Sequence, residues 1–150
     1  MRAENRPILQ FRAIIIASRY SYPYFLQEWG KQCWDAAVAC PITVADVDLA
    51  HPTAIAALDD SFFRVRFDRL TPSEKRYLRG MADLGEGPFG STAIAEHIGR
   101  KSSSFGPVRA SLIAKGMIYT PGYGETAFTV PMFGGFMRRA MPTGMDTIDS

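Results

Sequence analysis

Six residues in the middle of the chain, Gly85-Glu86-Gly87-Pro88-Phe89-Gly90, fit G-x-G-x-x-G, and Gly85 to Thr92 nearly fits G-x-x-x-x-G-K-[ST]. In the right setting either pattern lays backbone N–H groups around a phosphate. A dinucleotide loop must follow a strand and open a helix. Here the glycines follow a helical stretch, and Ser91 stands where the second pattern needs its lysine. The glycines therefore read as a helix-to-helix turn stiffened by Pro88. A second cluster lies further along: Arg100, Lys101, Ser102, Ser103 and Ser104, then Arg109. Cations neutralise phosphates and hydroxyls hydrogen-bond them. These six are the candidate nucleic-acid contacts, with Arg109 placed to reach a base or the backbone. Metal chemistry has no comparable pattern. Cys33, Cys40, His51 and His97 lack the spacing of zinc ligands. The two cysteines read as reduced, buried thiols of a cytoplasmic protein.

Charge says which part of the chain would meet a polyanion. The 150 residues carry a net +2, unevenly spread. Residues 1–63 hold five Lys/Arg and seven Asp/Glu, whereas residues 64–140 hold twelve and six. A change of sign along a chain suggests two modules with different partners. No apolar run is long enough for a membrane span. No signal-peptide pattern opens the chain, so a cytoplasmic location is expected.

The elements that must hold these residues can be read in turn. Residues 1–63 are expected to form a small helical bundle. A short apolar helix follows Pro7, and a second starts at Pro23 with Phe25, Leu26, Trp29, Cys33, Trp34 and Ala37 on one buried stripe. A third is capped by Thr43, with Asp46 in its first turn. Pro52 either kinks that helix or starts another reaching about Phe62. Residues 64–142 open with a possible strand, Arg64 to Phe67. Thr71, Pro72 and Glu74 then form a capping box, and the helix they start buries Tyr77, Leu78, Met81 and Leu84. Ser91 caps a second helix that Gly99 stops. Ser103 or Ser104 caps a third, with Phe105, Val108 and Leu112 buried and Gly116 as its stop. A hairpin over Met117–Thr120 and Thr126–Val130 comes next, then an amphipathic helix with Met132, Phe133, Phe136, Met137 and Ala140 on one face. Residues 143–150 are expected to be a flexible tail. The order is that of a winged helix-turn-helix with a β-hairpin wing, so the fold class is mainly α. In such a unit the start of the third helix meets the major groove, and that start holds Arg100, Lys101 and the three serines.

Three segments, SYPYFLQEWGKQCWDAA, ALDDSFFRVRFDRLTPSEKRYLRGMA and RASLIAKGMIYTPGYGETAFTVPMFGGFMRR, resemble the C-terminal region of bacterial and archaeal AAA+ ATPases. The resemblance implies a helical lid followed by a winged helix. Tyr22 and Pro23 match the end of that family's Gly-x-Pro lid motif, with Ser21 in place of its glycine. By the resemblance they lie on the lid face turned toward nucleotide, and ATP and magnesium are implied for a parent protein. The phosphate-cradling core is missing from these residues, so no cofactor and no catalysis are expected of this chain. It is expected to be a fragment of an ATPase, or a product lacking the core. The expected partners are duplex DNA and the parent's ATPase core. The alternative is a non-enzymatic module docking on that core or on another protein.

Overall fold

The computed structural model describes residues 23–39, 42–85 and 87–142. The expected helix after Pro7, Tyr22 of the expected lid face, Cys40 and the expected tail 143–150 lie outside them. The fold is mainly helical with a small three-stranded antiparallel sheet. The chain divides into two compact units, Met1–Val65 and Arg66–Ser150. Among the described residues, no helix is long and apolar enough to cross a membrane.

In the first unit, α1 (Pro23–Ala36) packs on α2 (Val44–Leu58) through Phe25, Trp29 and Cys33, four apart, whereas Trp34, next in sequence to Cys33 and turned off that stripe, is exposed rather than buried as expected. The expected cap is present: the Asp46 amide donates to Thr43 Oγ1 at 3.3 Å and the Thr43 amide to Asp46 Oδ2 at 2.7 Å. Pro52 starts no new helix but sits inside α2. It is exposed, so the carbonyl it leaves without a helical partner can be hydrated. A π-helical segment, Asp59–Phe63, follows. Phe62 and Phe63 lie within it and meet Phe25 at centroid distances of 5.2 and 5.7 Å. The backbone stays helical through α3 (Arg64–Phe67), which corrects the expected strand there. Four alternating residues are too few to fix a period, and the Arg64 amide already donates to Asp59 in the helical run.

The first long helix of the second unit is α4 (Pro72–Leu84), capped as expected by Thr71 and Glu74. A two-residue strand that the sequence reading missed, β1 (Phe89–Gly90), precedes α5 (Ser91–Ile98). Then come a 3-10 turn, Ser102–Phe105, and α6 (Gly106–Ala114). The hairpin is β2 (Ile118–Tyr119) and β3 (Glu125–Phe128), and α7 (Phe133–Ala140) closes the unit. The sheet order is β1-β3-β2, with Phe89 opposite Thr126 and Ile118 opposite Phe128. Tyr77, Leu78, Met81, Ile94, Leu112, Phe133 and Phe136 fill the core. Gly80 is what lets α5 approach α4. A Cβ there would stand 2.5 Å from Cγ1 of Ile98.

Candidate nucleic-acid interface

Two local choices of the chain bring Arg100 and Lys101 to the surface. Gly99 takes the left-handed conformation, φ 78°, and its amide donates to the carbonyls of Ala95 and Glu96, ending α5. The Arg100 amide donates back to Ala95 O at 3.1 Å. The next anchor is Phe105, buried with its ring 5.3 Å from that of Tyr77. Arg100 to Ser104 bridge the two anchors, and all five are exposed. The side chains of Arg100 and Lys101 have no hydrogen-bond or ion-pair partner among the described residues.

The serines differ from expectation. Neither Ser103 nor Ser104 caps α6, because Ser102 to Phe105 turn as a 3-10 helix and Phe105 occupies the cap position. The Ser104 hydroxyl points backward and donates to Lys101 O at 2.7 Å. Ser91 likewise does not cap α5. Its amide and its hydroxyl both donate to Gly124 O, at 2.9 and 3.0 Å, tying α5 to the hairpin loop.

Arg109 is turned onto the hairpin. Its Nε donates to Thr126 Oγ1 at 3.0 Å, and its Nη2 to Glu125 O at 3.0 Å and Thr120 Oγ1 at 3.2 Å. The expectation of an outward guanidinium gives way to a latch between α6 and the hairpin. The reason lies in Thr126, which is wholly buried and whose hydroxyl gains a charged donor there. The outward residues of α6 are Gly106, Pro107, Ala110, Ile113 and Ala114. Their side chains carry no hydrogen-bonding group with which to read a base edge.

A second latch went unread in the sequence. Glu74 is only 3% exposed. Besides capping α4 it accepts from Ser111 Oγ at 2.6 Å and from Lys115 Nζ at 2.7 Å. Lys115 also donates to Arg69 O at 2.9 Å. Burial alone would raise the Glu74 pKa. The bonds from Lys115, Ser111 and the Thr71 amide, with the Lys115 charge, bring it below the ordinary value. Ser111 and Lys115 are four apart on one helix face, a signal that marks a shared face but not what it meets. A third polar group is more exposed: Asp83 pairs with Arg79, and His97 Nε2 lies 3.0 Å from Asp83 Oδ2.

The remaining expected site residues are apart from this surface. Pro23 is the exposed first residue of α1, in the first unit. Cys33 is a buried free thiol, its pKa raised by burial and by the charge of Asp46. Among the described residues no group of His, Cys, Asp and Glu could hold a metal ion. Of the opening glycines, Gly85 ends α4 and Gly90 pairs with Glu125.

A family described as a domain of unknown function (DUF8462) matches the chain over residues 60–137, just over half its length. No curated protein and no solved structure matches it.

Proposed function

The chain belongs to the DUF8462 family, and from the geometry of the matched stretch we propose that the second unit is a winged helix-turn-helix that binds duplex DNA through its phosphates. In this reading α5 and α6 are the helix-turn-helix and the β2–β3 hairpin is the wing. The observation that carries it is the pair Arg100 and Lys101, exposed and without side-chain partners among the described residues, beside three exposed serines at the entrance to α6. Such a cluster neutralises phosphates whatever the sequence. The bare outward face of α6 and the latched Arg109 favour weak sequence preference. By its resemblance the chain would act in the cytoplasm as the lid and winged helix of an AAA+ ATPase. ATP and magnesium would be held by the parent's core, with Tyr22 and Pro23 as one wall.

The test is a salt titration of duplex binding by the full chain and by the variant Arg100→Ala with Lys101→Ala. The variant is expected to bind every duplex more weakly. Its slope of log affinity against log salt should flatten by about 0.9 per lost phosphate contact. A wild-type chain that binds no duplex at low salt, or a variant that keeps the full slope, overturns this reading. The reading that then stands is a protein-interaction module, favoured by the exposed Ala110, Ile113 and Ala114 along α6.

A further inference from the structure

The hairpin loop, Pro121 to Glu125, carries groups that the phosphate contacts do not use. Tyr123 is fully exposed at its centre, between Gly122 and Gly124. Its surroundings are pinned. Gly124 O accepts from the Ser91 amide and hydroxyl, and the Glu125 amide donates to Gly122 O at 3.1 Å. Glu125 O accepts from Arg109, and Glu125 also pairs with Gly90 in the sheet. The loop backbone has therefore lost its freedom before any ligand arrives, while the ring it presents buries nothing. That is the state of a preorganised anchor, whose ordering cost falls on folding rather than on binding.

The Glu125 carboxylate decides what such an anchor suits. It lies over Gly122, with Oε2 2.7 Å from where a Cβ would stand. No cation accompanies it between Pro121 and Glu125. A carboxylate repels phosphate, so this loop does not suit the duplex backbone. An exposed aromatic ring two residues from a carboxylate that has no side-chain partner among the described residues suits a nucleobase instead. The ring stacks on the base, and the carboxylate accepts from an exocyclic amine such as cytosine N4. Thymine places a carbonyl oxygen at that position, which the carboxylate repels. Stacking needs a free base face, which a duplex interior does not offer.

We infer that the hairpin loop binds an unpaired base next to a duplex, with Tyr123 stacking on it and Glu125 selecting one that carries an exocyclic amine. The inference rests on the DNA-binding reading above and adds a junction preference to it. The probes are a blunt duplex and the same duplex with a three-nucleotide dC or dT overhang. Each is titrated at fixed salt with the full chain and with Tyr123→Ala, Tyr123→Phe and Glu125→Ala. Wild type is expected to favour the dC overhang over the blunt duplex by roughly tenfold, the scale of one aromatic–base stack. Tyr123→Ala should lose that preference and keep the blunt-duplex affinity and its salt slope. Tyr123→Phe should keep both, and Glu125→Ala should bind the dC and dT overhangs alike. If wild type binds blunt and overhung duplexes equally, or Tyr123→Ala keeps the preference, the loop inference falls and the phosphate reading stands. If no DNA binds at low salt, both fall.

Discussion

Two pairs of cations border α6 and meet opposite fates. Arg100 and Lys101, before it, keep their charges in water. Arg109 within it and Lys115 at its end commit theirs to the fold, on Thr126, Thr120 and the Glu125 carbonyl in one case and on Glu74 and the Arg69 carbonyl in the other. Residue type does not separate the pairs, since each is one arginine and one lysine. What separates them is whether the fold brings up an acceptor that has already lost its water. Glu74 and Thr126 are the two buried polar residues among those described, and each receives one of the inner cations. A buried acceptor left without a donor costs its full desolvation. The inner cations are therefore fixed by need, and the outer ones stay exposed.

The contrast predicts a large stability difference. Lys115→Met keeps the aliphatic stem and removes the charge that faces Glu74. Glu74 keeps its bonds from Ser111 and Thr71, and Lys115 is itself about a third exposed. The expected cost is therefore below that of breaking a fully buried pair, about 2–3 kcal/mol in urea melts. Arg109→Met should cost about 1–3 kcal/mol, because Thr126 loses its charged donor while its rotatable hydroxyl can seek another partner. If Arg109→Met melts like wild type, the latch carries no stability and the comparison fails on that side.

Acid sharpens the comparison without touching the outer cations. The folded pKa of Glu74 lies below the ordinary 4.5. The stability it contributes is therefore present above that value and is lost as pH falls through the folded one. Urea melts from pH 7 downward should show unfolding free energy falling once pH drops below about 4.5. Lys115→Met should flatten that fall, since it removes the foremost of the interactions that lower the pKa. Asp83 adds a limb of the same sign: partial desolvation raises its pKa, and the bonds and charges of His97 and Arg79 bring it below the ordinary value. That carboxylate is well exposed, so screening keeps its share small. The Asp83 limb should survive in Lys115→Met.

The same distinction explains how much was legible in the sequence. The caps at Thr43 and Thr71 and the stop at Gly99 are local. Each is decided by residues three or four apart, and each is found as read. The hairpin was also legible, because Pro121, Gly122 and Gly124 separate two apolar runs. Strand β1 was not, since two residues carry no period and its pairing partner lies some 35 positions away. The candidate site divides likewise. The exposed turn follows from Gly99 and Phe105, both local anchors. The fate of Arg109 depends on Thr126, and the second role of Glu74 on Ser111 and Lys115, all distant in sequence. Helical periodicity places Arg109 off the apolar stripe, but it does not say that a hairpin covers that flank.

The smallest expected effect is the most discriminating. Arg100→Ala with Lys101→Ala removes two charges that no described residue opposes. The bonds that shape the turn use backbone atoms at these positions. The Arg100 amide donates to Ala95 O, and Lys101 O accepts from the Ser104 amide and hydroxyl. Alanine keeps all of them, and it fits the extended conformation of Lys101. The variant should therefore unfold within about 0.5 kcal/mol of wild type, the usual range for surface changes that break no specific feature. Superimposed urea melts would let any loss of duplex affinity in this variant be read as lost contact rather than lost fold. A cost larger than that of Arg109→Met would invert the comparison. The turn's charges would then belong to the fold, and the phosphate reading would lose the observation that carries it.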